Sequence, residues 1–315
     1  MSVALVGLLA IQISTQPLLV RTFIPGNAIN SACILLSEII KVIACGTIYL
    51  WGGSGRRKGP RWSLWASLLT AFPPAAIYAL QNIVITLAQQ NLDGFTYNIL
   101  NQSKLLSAAI LGYFIQGRLQ SARQVFSLFA LFLASVLAVS GSAETGENIT
   151  TTFGIVAALV ASGLSGLSGS LSDMALKKRR RNSFLFSLEL SVFVIVTLMF
   201  GYLLDHFVKG IDSDISRIFH KGGLLQAAGI RSGFFSPALV PIISAAIGGI
   251  LVGQVTRLVG SVRKGFAVST GVVLTALIDN SSRDIWSNWQ LLLSVPLALA
   301  AVTVHGLEQE KLKNN

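Results

Sequence analysis

The chain has 315 residues, of which 52% are hydrophobic and 12% charged, with a mean hydropathy of +0.67, whereas soluble domains carry about 25% charged residues. That balance excludes an ordinary soluble domain and reads as an all-α, polytopic membrane protein. The formal charge of +11 does not point to nucleic acid, because the basic residues fall in short clusters between apolar runs and not along one soluble face.

A spanning helix needs about 20 apolar residues. Windows of that length fall at 3–22, 27–50, 64–90, 94–116, 121–140, 152–175, 183–204, 234–257, 263–282 and 287–305, which predicts ten transmembrane helices. The first window lacks a basic n-region and is followed at once by another apolar run, so it reads as a retained span and not a cleaved leader. Cys33 and Cys45 share one apolar run without metal-ligand spacing and read as packing residues.

Short cytoplasmic loops carry the excess of lysine and arginine. With a cytosolic N-terminus, one side receives Arg56, Arg57, Lys58, Arg61, Arg118, Arg123, Lys177 through Arg181, Arg257, Arg263, Lys264, Lys311 and Lys313. The other receives Arg21, Lys209, Arg217, Lys221, Arg231 and Arg283. Both termini are therefore expected in the cytosol. The acceptor sequons at Asn148 and Asn280 fall on the opposite, lumenal side.

The whole chain, 1–315, is expected to form a single polytopic membrane domain with a first half over 1–140, a second over 152–305 and a cytosolic tail over 306–315. Five crossings are an odd number, so a second set of five is inverted automatically. Inverted halves with a midplane site between them are a common transporter plan. Small residues support close helix packing: Gly163, Gly166 and Gly169 recur every three residues, and Gly249 and Gly253 form a GxxxG. That GxxxG suits packing within a bundle or a homodimer. Pro73, Pro74, Pro241 and Pro296 are candidate kinks.

One stretch departs from the apolar background. YALQNIVITLAQQNLDGFTYNILNQSKL, from Tyr78 to Leu105, places Tyr78, Gln81, Asn82, Tyr97, Asn98, Asn101, Gln102 and Lys104 inside two spans. A lysine at a helix centre costs about 2.5–3.5 kcal/mol on insertion scales and normally faces a cavity or partner. Lys104 lies about ten residues from either end of its window, too deep to snorkel easily. Lys264, nearer the cytosolic end of its span, has snorkelling as an alternative. Glu38 and Lys41 share a helix face three residues apart, which suits mutual neutralisation as well as contact with a substrate.

Three separated motifs carry a family resemblance. Residues 37–41, SEIIK, resemble the E-x-x-K of the second span in nucleotide-sugar transporters of the drug/metabolite transporter superfamily. Residues 74–105 are similar without a gap to that family's P-x-x-x-Y-A-x-Q-N and N-L-D-x-x-x-Y-Q-x-x-x-Q-x-K-I stretches. Gly248-Gly249 followed by Arg263-Lys264-Gly265-Phe266 resembles its G-G-L and K-G-F. The branch most similar carries UDP-galactose, UDP-N-acetylglucosamine and CMP-sialic acid.

The resemblance implies a pyrimidine nucleotide-sugar antiporter of the Golgi or endoplasmic reticulum, UDP-sugars foremost, exchanging cytosolic nucleotide sugar for lumenal nucleoside monophosphate by alternating access. The alternative is a related carrier of CMP-sialic acid or a phosphorylated sugar. It also implies that Lys104 and Lys264 meet phosphate, that Tyr78 and Tyr97 stack on or bond the nucleoside, and that Gln81, Asn82, Asn98, Asn101 and Gln102 bond base or ribose. No cofactor or metal is implied. The chain lacks HExxH, GxSxG, P-loop and clustered-carboxylate signatures of an enzyme. Its ending, Lys311-Leu312-Lys313-Asn314-Asn315, resembles a K-x-K-x-x retrieval signal read by the COPI coat, provided Asn315 is the natural end.

This sequence departs from the family pattern at Ile83, Asn101 and Ser103. Gly233-Phe234-Phe235 resembles the family's G-F-F but continues as SPALVPII, so the ligand-binding tyrosine expected there has no counterpart and Ser236 is at most a weak substitute.

Overall fold

A computed structural model describes residues 2–26, 28–51, 63–92, 94–117, 120–141, 151–177, 181–209, 216, 218, 220, 222–230, 236–279 and 289–314. The sequons, Arg56, Arg57, Lys58, Arg61, Arg118, Lys178 to Arg180, Arg217, Lys221, Arg231, Arg283 and Gly233 to Phe235 lie outside the described residues. All regular elements among the described residues are helices: α1 (Ser2–Phe23), α2 (Asn30–Trp51), α3 (Leu64–Thr70), α4 (Phe72–Asn91), α5 (Gly94–Asn101), α6 (Lys104–Gln116) and α7 (Ala122–Gly141). They continue as α8 (Thr152–Lys177), α9 (Ser183–Lys209), α10 (Leu224–Ala227), α11 (Leu239–Val259), α12 (Ser261–Asp279) and α13 (Trp289–Asn314).

Several boundaries are written in local sequence. Ser121 and Gln124 form a reciprocal capping box at the start of α7: the Ser121 N–H donates to Gln124 Oε1 at 2.9 Å and the Gln124 N–H to Ser121 Oγ at 3.3 Å. Asn182 Oδ1 accepts from Phe184 N–H at 2.9 Å to open α9, and Thr151 Oγ1 accepts from Gly154 N–H at 3.1 Å to open α8. Helix α6 stops at Gly117, whose φ of 66° is the left-handed C-cap that glycine adopts without strain.

Among the described residues, seven helices are long and apolar enough to span a membrane by themselves. The other three predicted windows are helical but not single straight spans. In the first, α3 and α4 meet at a 45° bend, where Pro73 and Pro74 cannot donate back to the preceding turn. In the second, the window 94–116 breaks at Gln102-Ser103, directly before Lys104. In the third, the apolar part of α13 is the shorter Leu292–Glu308. The chain is thus a multi-pass helical membrane protein. Its outer surface carries large apolar side chains such as Phe114, Phe126, Phe200 and Phe207, the kind of face that lipid solvates.

The helices cluster into two compact units, each drawn from both sequence halves. Unit 1 holds residues Met1–Ser14, Leu80–Met174 and Leu258–Asn315; unit 2 holds Thr15–Ala79 and Ala175–Arg257. The core of unit 1 packs Leu105 with Leu128 and Leu131 of α7, Phe266 and Val273 of α12, and Ala298 and Ala301 of α13. The core of unit 2 packs Ala32 and Leu36 of α2 with Ala227, Ala228 and Ile230 and with Ile242 of α11.

The glycines show what close packing serves. In unit 2, a Cβ on Gly249 would lie 2.7 Å from Lys41 Cδ, and one on Gly253 would lie 2.5 Å from Ser187 Oγ. The GxxxG face is therefore filled inside the unit, and any homodimer would use another surface.

Candidate functional site

The break before Lys104 is built from tightened turns. Gln102 N–H donates to Ile99 O at 3.1 Å, Ser103 N–H to Leu100 O at 3.0 Å and Leu105 N–H to Gln102 O at 3.1 Å, all three-residue bonds instead of the four-residue bonds of an α-helix. Ser103 Oγ donates to Leu100 O at 2.6 Å and Ser107 Oγ to Ser103 O at 3.1 Å, which competes with the regular ladder. No proline or glycine marks the spot, so the sequence predicts an unbroken span where the structure has an interruption.

Lys104 opens α6 on the far side of that break, and Leu105 carries it to α12. A Cβ on Gly265 would lie 2.6 Å from Leu105 Cδ1, so glycine at 265 is what lets the two helices approach there. That contact sets the preceding residues, Lys104 and Lys264, on neighbouring helices of unit 1. The Lys264 ammonium rests 3.5 Å from where a Cβ on Gly169 of α8 would stand. Both lysines belong to unit 1, and among the described residues neither ammonium has a hydrogen-bond or ion-pair partner.

Around them unit 1 holds further polar groups. Gln102 is 3% exposed and its Oε1 is buried without a donor, as is Oε1 of Gln81. Asn101 is half-buried, while Asn82 and Asn98 are exposed. Tyr97 is buried in an apolar cluster with Ala88, Leu92, Ala157 and Ala158, which makes its ring a packing element in this conformation.

The remaining candidates lie in unit 2. Tyr78 is half-buried on α4. Lys41 Nζ donates to Glu38 Oε1 at 2.6 Å, so these two neutralise each other. Glu38 Oε2 is left buried without a donor.

Two acidic residues in apolar helices, Glu189 and Asp173, are not among the candidates that the sequence points to, although an intramembrane carboxylate is itself a signal. Arg181, counted with the cytosolic loop cluster, is 3% exposed and bonded through its guanidinium to Glu189, itself 4% exposed. Ser67 Oγ accepts from Arg181 at 3.0 Å and donates to Glu189 Oε1 at 2.6 Å, closing the triad inside unit 2. Asp173, with no exposed surface, accepts at Oδ2 from the Ser261 N–H at 3.3 Å inside unit 1. No group of three or more His, Cys, Asp or Glu among the described residues is placed to hold a metal ion.

The comparisons with known proteins identify the family. The profile of the family described as Nucleotide-sugar transporter matches residues 4–306. The chain belongs to the nucleotide-sugar transporter family. It is 33% identical over 304 residues to the UDP-N-acetylglucosamine transporter ROCK1 of Arabidopsis thaliana, covering 95% of this chain and 89% of that one. The transporter is also 26% identical over 249 residues to a UDP-N-acetylglucosamine transporter of Rattus norvegicus, covering 76% of this chain and 72% of that protein. With the UDP-galactose/UDP-N-acetylglucosamine transporter srf-3 of Caenorhabditis elegans it shares 25% identity over 325 residues, covering 98% of this chain and 83% of the other. A solved crystal structure shares the fold at a TM-score of 0.68 and 12% identity, covering 97% of this chain and 98% of its own. The family and these relatives are transporters, not enzymes.

Proposed function

We propose that the transporter exchanges a UDP-sugar, with UDP-N-acetylglucosamine foremost, for UMP across a Golgi membrane. The observation that carries this reading is the pair Lys104 and Lys264, whose ammonium groups have no hydrogen-bond or ion-pair partner among the described residues and which lie on adjoining helices of unit 1, where Leu105 meets Gly265. A pyrophosphate cannot cross lipid unescorted, and ammonium donors give it charge-assisted hydrogen bonds without fixing one phosphate geometry. That tolerance suits a site that must take a diphosphate inward and a monophosphate outward. The names of the relatives favour UDP-N-acetylglucosamine over other sugars.

In this reading Lys104, Lys264 and Gln102 meet the phosphate end. Gln81, Asn101, Asn98 and Asn82 offer donors and acceptors to ribose and base, and Tyr97 supports that wall from the core. Lys41 and Glu38 are a neutralised pair that keeps its helix in place. The chain makes ten crossings, the bent pair, the broken pair and the short apolar part of α13 each counting as one, in two inverted halves with both termini cytosolic. Retrieval through Lys311 and Lys313 would cycle it to the endoplasmic reticulum.

Exchange follows from charge. An empty carrier must reorient with two like charges unpaired in a medium of low dielectric, which is costly. A bound phosphate neutralises them and lowers that barrier. In proteoliposomes, uptake of labelled UDP-N-acetylglucosamine into vesicles preloaded with UMP should exceed uptake into empty vesicles several-fold, and Lys104→Ala should remove the difference. Equal rates with and without internal UMP would sink the exchange reading, and no uptake of any UDP-sugar would sink the substrate reading.

A further inference from the structure

We infer that Asp173 is a positioning residue for Lys264, fixing the first turn of α12 so that the ammonium stands at the phosphate site; this rests on the reading of Lys264 as a phosphate ligand. Three features of the turn make an external clamp necessary. Helices α11 and α12 are joined by Gly260 alone, at a φ of 96°, so α12 opens as a new helix. The first N–H groups of a helix have no partner within it. Lys264 sits in that first turn, its own N–H donating back to Gly260 O at 3.0 Å.

Asp173 supplies the clamp. Its carboxylate accepts from the Ser261 N–H, the opening residue of α12, and lies fully buried. A negative charge at a helix N-terminus is favoured by the aligned peptide dipoles as well as by the hydrogen bond. One turn earlier on the same helix, the Lys264 ammonium rests 3.5 Å from where a Cβ on Gly169 would stand. One helix, α8, thus holds the backbone end of the lysine turn with a carboxylate and borders its side-chain end at Gly169.

The same helix also sets the level of Lys104. A Cβ on Gly166 would lie 2.7 Å from the carbonyl carbon of Ser107 and 2.8 Å from the Ala108 nitrogen, backbone atoms one turn beyond Lys104. Residues 166, 169 and 173 therefore act as a ruler along α8, with α6 against one mark and α12 against the others. An intramembrane carboxylate is expensive, and holding the phosphate ligand in register is what this one does.

The test is UMP and uridine affinity of the purified transporter, wild type against Asp173→Ala, Asp173→Asn, Lys264→Ala and the double variant Asp173→Ala with Lys264→Ala. Positioning through Lys264 predicts that Asp173→Ala weakens UMP about tenfold, leaves uridine within about twofold because it lacks the phosphate, and adds nothing further on Lys264→Ala, the non-additivity of groups that act as a unit. Asp173→Asn, which keeps an acceptor oxygen, should recover most of the UMP affinity. If Asp173→Ala does not fold, Asp173→Leu fills the volume without the acceptor, and the same UMP and uridine comparison decides. Equal losses for UMP and uridine, or additive losses in the double variant, would overturn the assignment. A Lys264→Ala variant with unchanged UMP affinity would instead overturn the phosphate reading of Lys264 itself.

Discussion

In unit 2 the Lys41 ammonium sits 2.6 Å from Glu38 and the Arg181 guanidinium is bonded to Glu189, whereas in unit 1 Lys104 and Lys264 lie on adjoining helices with no ion-pair partner among the described residues. The same kind of side chain inside apolar helices therefore answers two different needs. A cation that meets a carboxylate within the fold contributes to holding helices together. A cation that meets only another cation is an incomplete interaction, and in the proposed reading a diffusible anion completes it. The location of charge in a span says that something must neutralise it; only the three-dimensional pairing says whether that partner belongs to the protein.

The largest effect that would break this comparison is in unit 2. Removing one member of a fully buried ion pair leaves an uncompensated charge, which costs about 3–5 kcal/mol. Arg181→Ala should therefore lower the unfolding midpoint of the detergent-solubilised transporter more than any other single change discussed. The joint replacement Arg181→Met with Glu189→Leu should restore most of the loss, because two well-packed apolar side chains need no counter-charge. A loss under about 1 kcal/mol in Arg181→Ala would be the exposed-pair value and would mean that water reaches the triad.

Next comes the contrast between lysines. A hydrogen bond to a charged group is worth about 1.5–3 kcal/mol, so Lys104→Ala should weaken UMP by about ten- to a hundredfold while leaving the ligand-free melting point nearly unchanged. Lys41→Ala should do the reverse: the melting point falls because Glu38 loses its partner, and UMP affinity moves far less. Isothermal titration and thermal unfolding on the same preparations separate the two. If Lys41→Ala cost as much UMP affinity as Lys104→Ala, the Glu38 pair would be part of the phosphate site.

Lys104 stands out in the sequence, because a lysine far from both ends of an apolar window cannot easily snorkel. The seven single spans were equally plain from apolar length, and the capping residues Ser121, Gln124 and Asn182 mark their helix starts as their residue types require. Other features depend on partners distant in the chain. Arg181 is next to a basic run and reads as one more loop charge; its carboxylate is eight residues on and its serine more than a hundred residues back. The interruption at Gln102-Ser103 has no helix breaker in it, since serine back-bonding and three-residue bonds tighten the turn instead. Tyr97 has the composition of a ligand contact and the surroundings of a core residue. The two contact units likewise cut across the sequence halves, because packing partners are chosen by complementary faces and not by chain order.

The smallest effects sharpen the comparison most, because they touch the seat of Lys264 without touching any charge. A Cβ on Gly169 would stand 3.5 Å from the Lys264 ammonium and 3.8 Å from Ser261 Cβ, ordinary contact distances. Gly169→Ala should therefore be accepted, with stability raised by about 0.4–1 kcal/mol through the loss of backbone freedom in the unfolded chain and UMP affinity within about twofold. Gly169→Leu fills the space the ammonium occupies and should move UMP affinity toward the value of Lys264→Ala, while uridine affinity stays put. The alternative use of Lys264, snorkelling to the cytosolic headgroups, predicts otherwise: an ammonium drawn away from α8 leaves the position free, and leucine at 169 would cost UMP nothing. A graded loss from alanine to leucine places the Lys264 charge over α8 and within reach of a phosphate; a flat series returns it to the membrane surface and leaves Lys104 to bind the anion alone.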